Sequence, residues 1–235
     1  EMLGGYSRHL EAPKIWNAVR HMPRPLRRVA QTMLKRLSPQ HWERLLKSVP
    51  QAGGRVHKAL SLLSMNSEEE IYRSLLEQWP EPPVLSGKNV RTLFDDTQYR
   101  SQGLSFAEKM MYWDALSYLP DDILVKVDRA GMAASLETRA PLLDRKIYEY
   151  AWRLPLRFKI RGGRGKWLLR EMLKRHVPES LFDRPKQGFS MPVGEWLRGP
   201  LKGWAENLLN EKILREQGDF DLAPIRKRGR NIVRV

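Results

Sequence analysis

The sequence has 235 residues, 41% of them hydrophobic and 29% charged, enough for one substantial domain or two small ones. Eight tryptophans exclude a disordered chain, and the absence of cysteine excludes disulfides and thiolate metal sites. The net charge of +15 opens the possibility of a polyanionic partner.

Residues 1–50 begin with Gly4-Gly5-Tyr6 and continue as short basic amphipathic helices interrupted by Pro23 and Pro25. Arg24, Arg27, Arg28, Lys35 and Arg36 are expected to line one polar surface, and Ser38 before Pro39 to start the next helix. Within residues 51–104, an Ala-Gly-Gly linker precedes a short helix from about His57 to Leu63. Another helix starts near Ser67, where Glu68-Glu69-Glu70 complement its dipole, and the Pro80–Pro83 cluster ends it. Residues 84–104 read as a loop.

In residues 105–176, Phe106, Met110, Trp113 and Leu116–Leu119 recur at helical spacing. Pro120 is expected to stop that helix and Asp121-Asp122 to cap the next, which carries Ile123, Leu124, Val127 and Ala130–Met132. Pro141 makes a break, Asp144 is a cap, and Ile147, Tyr150-Ala151 and Leu154 form a further helical face. Gly162-Gly163-Arg164-Gly165 reads as a flexible turn into a helix from Lys166 through Met172-Leu173. Two more helices are predicted around Val193–Leu197 and Leu201–Ile213. The last ten residues, 226–235, form a basic tail without an apolar face. No strand pattern supports a sheet, so the fold class is mostly α, with one helical portion over residues 1–225.

No apolar run approaches the roughly 20 residues that cross a bilayer, and the opening residues lack a secretion signal. A cytoplasmic setting without membrane contact is the resulting expectation. The basic residues are spread along the chain and no DNA- or RNA-binding motif accompanies them, so nucleic acid is set aside as a partner. A solvated basic surface explains the charge equally well, as does a domain separated from an acidic neighbour.

Three stretches carry candidate chemistry. In Arg161-Gly162-Gly163-Arg164-Gly165-Lys166, glycines permit close approach of a phosphate, and Lys166, with Arg164, supplies positive charge at a helix start. The alternative is a glycine turn with a solvated lysine. It is not a P-loop, because Trp167 follows the lysine and the glycine spacing differs. In Tyr118 to Ala130, Asp122 and Lys126 are four apart and can pair, while Asp128 beside Arg129 within apolar surroundings points to a buried pair. In Ser135 to Asp144, Glu137 and Arg139 alternate with apolar residues, which implies a buried ion-pair network. The five histidines have no metal spacing, and no H-E-x-x-H or G-x-S-x-G occurs.

Four segments, taken in order, resemble glutamine-hydrolysing asparagine synthetases, most closely the long bacterial forms. They are Leu119–Arg129, Ser135–Asp144, Gly165–Arg170 and Arg184-Pro185-Lys186-Gln187-Gly188-Phe189. The opening Glu1-Met2-Leu3-Gly4-Gly5-Tyr6 is similar to the end of that family's Gly-Asp-Glu-Leu-Phe-Gly-Gly-Tyr segment. The resemblance implies the helical part of an adenine-nucleotide α-hydrolase-like synthetase domain that uses ATP and Mg2+ to adenylate the aspartate side chain. Ammonia from glutamine, released by a separate amino-terminal glutaminase domain, then displaces AMP.

It further implies that Lys166 is catalytic and contacts ATP phosphates or pyrophosphate, a contact that the local reading extends to Arg164, and that Glu1 lies at the nucleotide and substrate site. Asp122, Lys126 and Glu137 are expected near the substrate, and Arg139 and Asp144 in structural roles. The chain has no Ser-Gly-Gly-x-Asp-Ser loop, no parallel strands of the ATP domain and no glutaminase cysteine. It is therefore expected to be part of a longer protein and inactive alone, its partners being those segments and the small molecules aspartate, glutamine and ATP. Alternatives are an amidotransferase for another carboxylate, such as a sugar or peptide in surface-polysaccharide biosynthesis, or a non-enzymatic basic binding module.

Overall fold

The computed structural model describes residues 2–45, 53, 56, 60–77, 79, 82–85, 92–96, 99, 103–184 and 191–226. The chain divides into two compact units, residues 1–77 with 93–179, and residues 78–92 with 180–235. The described residues are mostly helical, in line with the expected class.

In the larger unit, α1 (Ser7–Val19) packs on α4 (Glu68–Leu76) and on α5 (Phe106–Trp113). Their shared core is Ala12, Leu62, Ile71, Tyr72, Phe106, Met110 and Trp113. Each large side chain removed from water there contributes about 1.5–3 kcal/mol. Two of these helices are started by serine. Ser67 Oγ accepts from Glu70 N at 3.1 Å. Ser105 and Glu108 cap each other's backbone reciprocally, which places α5 firmly before its long apolar run.

Between α1 and α4 run α2 (Arg24–Lys35) and α3 (Pro39–Leu45). The expected interruption falls between α1 and α2, but Pro25 lies inside the first turn of α2, where its missing N–H costs nothing. The polar surface expected along α2 holds for Arg24, Arg28 and Arg36, but Arg27 is buried. Its guanidinium donates to Met65 O at 2.7 Å, while Leu26, Val29 and Met33 are exposed. A guanidinium satisfies an interior carbonyl that no apolar side chain could, so α2 turns its arginine inward. The side chain of Lys35 lies outside the described residues, as do residues 57–59 of the next expected helix; residues 60–62 are helical.

Pro120 does not stop a helix. The chain runs from α5 through a π-helical stretch, Asp114–Leu124, directly into α6 (Val125–Ala133). A proline ring collides with the carbonyl four residues back in an α-helix; the wider i→i+5 turn moves that carbonyl aside and tolerates the missing N–H. Asp121 and Asp122 are accordingly mid-helix residues, not caps. Helix α6 ends where Ser135 takes the left-handed conformation (φ +55°), with Leu136 N donating to Gly131 O at 2.9 Å and Ser135 N to Met132 O at 3.0 Å.

Asp144 does cap its helix, α7 (Arg145–Arg153), accepting from Lys146 N at 2.9 Å and Ile147 N at 3.4 Å. After the single turn α8 (Leu156–Lys159) comes a short hairpin, where no strand pattern was seen in the sequence: β1 (Ile160–Arg161) pairs antiparallel with β2 (Arg164–Gly165). Gly162 and Gly163 both have positive φ, +57° and +73°, the two-residue turn whose twist matches paired strands. The expected loose turn is therefore an ordered one, leading into α9 (Trp167–Leu173).

The smaller unit holds α10 (Val193–Arg198), α11 (Lys202–Leu208) and α12 (Glu211–Gln217). The single helix expected over Leu201–Ile213 is two, because Asn210 caps α12 by accepting from Lys212 N at 2.9 Å. Val84 and Phe220 form an antiparallel bridge, with Leu85 N donating to Asp219 O at 2.9 Å. Residues 185–190 and 227–235, which include most of the Arg184–Phe189 motif and of the basic tail, lie outside the described residues.

A buried polar cluster ties α1, α4 and the start of the π-helical stretch together. Asp114, fully buried, accepts from Arg8 (Nη2 at 2.7 Å, Nε at 3.2 Å), from His9 Nε2 at 2.6 Å and from Tyr72 OH at 2.5 Å. Burial pushes the His9 imidazole below its ordinary value, with Arg8 adding to that effect, and this outweighs the pull of Asp114. Burial alone would raise the Asp114 carboxyl, but hydrogen bonds from His9 and Tyr72 and the Arg8 charge outweigh it and hold it below the ordinary range.

Both groups thus bind protons more weakly folded than unfolded, so their contribution is present at neutral pH and lost on acidification. The His9 part fades as pH falls below about 6.5, and the Asp114 part below about 4. The midpoint of urea unfolding is expected to fall between about pH 7.5 and pH 5 and to fall less in His9→Gln. An unchanged or rising midpoint would contradict this.

Candidate functional site

The first residues of the chain pack against the hairpin. Met2 and Leu3 are buried with Ala151 against Leu143, Tyr148, Trp152 and Leu169. Leu3 O accepts from Lys166 N at 2.9 Å, so the chain start lies alongside the end of β2. Gly4 has φ +67°, and a β-carbon there would come within 2.5 Å of Ile160 Cγ1. Gly165 presses still closer on this segment: a β-carbon on it would stand 3.0 Å from Gly4 C and overlap Gly4 O. Gly4 and Gly165 are what allow the two backbones to touch.

Lys166 sits at this junction with φ +56°, immediately before α9, and is exposed. Its stem crosses Gly5: a β-carbon on Gly5 would overlap Lys166 Cε and stand 3.4 Å from both Cδ and Nζ. Among the described residues, no carboxylate lies within ion-pair distance of Lys166. Arg164 is exposed on the same hairpin, and Arg161 stacks its guanidinium 4.9 Å from the centre of the Trp167 ring. The short α9, seven residues, supplies little dipole of its own, so the positive character of this corner comes from the side chains.

Nearby, Lys159 is buried with its ammonium 4.8 Å from the centre of the Trp152 ring. Burial pushes this lysine below its ordinary pKa, against the field of Glu108. On the other side, Arg8 lies over the rings of Tyr6, at 4.4 Å, and Tyr118, at 4.6 Å, while Asp114 holds its other edge. That sandwich fixes the residues that directly follow Gly4-Gly5.

The remaining expected site residues fall into separate pairs. Asp122 and Lys126 bind one another at 2.6 Å, and that hydrogen bond raises the lysine pKa. Glu137 and Arg139 pair at 3.1 Å, both exposed, so the buried ion-pair network expected for this segment is a surface pair instead. Asp128 and Arg129 are also exposed and not a buried pair; consecutive residues on a helix point about 100° apart and cannot face each other. No described hydrogen bond or ion pair links the Lys166 corner to Asp122–Lys126 or to Glu137. Glu1 lies outside the described residues. Among the described residues, no group of three or more His, Cys, Asp or Glu is placed to hold a metal ion, and no helix is long and apolar enough to cross a membrane.

Sequence reading missed the seats under Lys166 and the Asp114 cluster. The first left a trace, since glycines occur in both Gly4-Gly5 and Gly165, but nothing in the sequence pairs segments 160 residues apart. The trace of the second was an aspartate inside the apolar run Met110–Leu119.

The model of the asparagine synthase family matches residues 1–229. The chain belongs to the asparagine synthase family. It is 35% identical over 145 residues to asparagine synthetase [glutamine-hydrolyzing] 1 of Bacillus subtilis (strain 168), covering 61% of this chain and 22% of that protein. It is 42% identical over 106 residues to the putative asparagine synthetase [glutamine-hydrolyzing] of Mycobacterium tuberculosis (strain ATCC 25618 / H37Rv), covering 45% of this chain and 16% of that protein. Similarity extends to the amidase chyE of Penicillium rubens, 27% identical over 149 residues, covering 60% of this chain and 22% of that protein. The chain thus spans about a fifth of the length of the curated relatives it matches. No solved structure matches it. As an asparagine synthase family member, its Gly4–Tyr6, Leu119–Arg129 and Gly165–Arg170 segments come to lie in one unit.

Proposed function

We propose that this chain supplies the Lys166 wall of the ATP site in an ATP-dependent amidotransferase that converts aspartate to asparagine with ammonia drawn from glutamine. The observation that carries the reading is Lys166 itself: exposed, seated on Gly5, and without a carboxylate partner among the described residues. Such an ammonium is available to an anionic ligand, and the adjacent Arg164 adds a second cation.

In the reaction, an aspartate side-chain oxygen attacks the α-phosphorus of ATP and the bond to pyrophosphate breaks. Ammonia then attacks the acyl carbon, AMP leaves, and the nitrogen gives up one proton to become the amide. Negative charge grows on pyrophosphate in the first step, and in this reading Lys166 offsets it there together with Arg164. Magnesium bound with ATP would offset phosphate charge in that step, and no group among the described residues of this chain is placed to hold it. Asp122, Lys126 and Glu137 are assigned to the acceptor side of the cleft, and Glu1 to the nucleotide side. The activity belongs to the longer protein in which the ATP-binding strands and the glutaminase accompany this chain, acting in the cytoplasm.

The test is ATP-dependent pyrophosphate release by the full-length protein over a panel of carboxylates with ammonia or glutamine. Aspartate is expected to be the active acceptor and asparagine the product. A second reading, left open by the similarity to a protein named an amidase and not a synthetase, is that another carboxylate takes the place of aspartate; release with a sugar acid or peptide and none with aspartate would establish it. No release with any acceptor would overturn both.

A further inference from the structure

Lys166 owes its place to residues that have no side chain. Three contacts hold its backbone: the hydrogen bond from its N–H to Leu3 O at 2.9 Å, the close approach of Gly165 to Gly4, and the left-handed φ of +56° that aims the side chain back over the chain start. From there the stem crosses Gly5, with Cδ and Nζ each 3.4 Å from the point where a Gly5 β-carbon would stand and Cε closer still. The backbone at Lys166 is confined on two sides, whereas the far end of the lysine stem is not. An added methyl group at Gly5 would therefore be relieved by moving the ammonium, not by moving the main chain.

We propose that Gly5 is a positioning residue for Lys166, its open α-carbon forming the seat along which the lysine stem runs and so setting where the ammonium meets phosphate. This rests on the reading that Lys166 faces the ATP phosphates. Gly5 is not at positive φ, so its backbone conformation accommodates alanine and the requirement for glycine here is one of space. Gly4 and Gly165 differ, since β-carbons there would meet Ile160 and the backbone of Gly4 and would disturb the fold itself.

The experiment uses the full-length protein as wild type, Gly5→Ala, Lys166→Ala and the double variant. It measures thermal unfolding together with kcat and KM for ATP in pyrophosphate release. Gly5→Ala is expected to unfold at the wild-type temperature yet lose about tenfold in kcat/KM, because a displacement on the order of 1 Å at a reacting centre has effects of this size or larger. In the Lys166→Ala background the same substitution is expected to change nothing further, the mark of one shared interaction.

Wild-type kinetics in Gly5→Ala would overturn the proposal while leaving the phosphate role of Lys166 intact. So would an equal loss from Gly5→Ala in both backgrounds. A Gly5→Ala protein that fails to fold while the double variant folds would also overturn it, since the seat would then serve stability. Wild-type kinetics in Lys166→Ala would remove the reading on which the proposal stands.

Discussion

An Asp114→Ala protein is expected to unfold about 10 °C below wild type, through a loss of about 3–5 kcal/mol in the unit that holds it. The carboxylate is fully buried and takes hydrogen bonds from Arg8, His9 and Tyr72, which come from two other helices. Removing it takes the shared acceptor from three donors at once. Arg8 keeps partial access to water, with a side-chain exposure of 17%, but His9 has none. The Tyr72 phenol, raised well above its ordinary range chiefly by burial, stays protonated and would lose its carboxylate acceptor, keeping only its hydrogen bond with Ser117. Each stranded buried donor costs about 1–3 kcal/mol, and some of this is recovered where water enters the space left behind. Urea unfolding followed by tryptophan fluorescence reads the change directly, because Trp113 is the preceding residue. A loss below about 1 kcal/mol would show that the cluster is not what joins these helices.

Lys166→Ala in the full-length protein is expected to lower aspartate-dependent pyrophosphate release by about 100- to 1,000-fold with little change in unfolding temperature. Removing one preorganised donor from the place where negative charge develops typically costs that much, and here the donor carries a full charge. The fold has little to lose, since Lys166 is exposed and makes no ion pair to a described residue. The left-handed backbone at this position remains as it is in the variant. Single-turnover measurement separates the chemical step from product release, which matters because pyrophosphate is itself a product. Rates within about threefold of wild type would place Lys166 outside the site.

Helix positions were legible from periodicity and from serine and aspartate caps, because both depend on residues within one or two turns of each other. Ser67 and Asp144 start their helices where they were expected to, and Ser105, whose capping role was not foreseen, starts a third. Reading failed where tertiary packing overrode a local rule. Pro120 is a helix breaker by its own geometry, yet flanking residues anchored by Asp114 hold the chain helical on both sides and the π turn absorbs the ring. Arg27 follows the charge pattern of a surface residue, yet an otherwise unsatisfied Met65 carbonyl draws it inward.

The site divides in the same way. Lys166 was legible because glycines beside a lysine are a local pattern. Its environment was not, because Leu3–Gly5 reaches it across most of the larger unit. Asp122 with Lys126 could be read as an i, i+4 pair. The surface setting of Asp128, Arg129 and Glu137 could not, since alternation of charged and apolar residues does not reveal which face is covered.

The left-handed backbone of Lys166 has a consequence for how this position changes over time. Glycine or asparagine would adopt that conformation with less strain, and for a lysine the difference is on the order of 1 kcal/mol. Substitutions that merely relieve strain should therefore accumulate at this position wherever the ammonium is dispensable. A chain that keeps lysine here gives up stability for a charge in a particular place, and a descendant that has replaced it with glycine would be a more robust fold that has lost its chemistry.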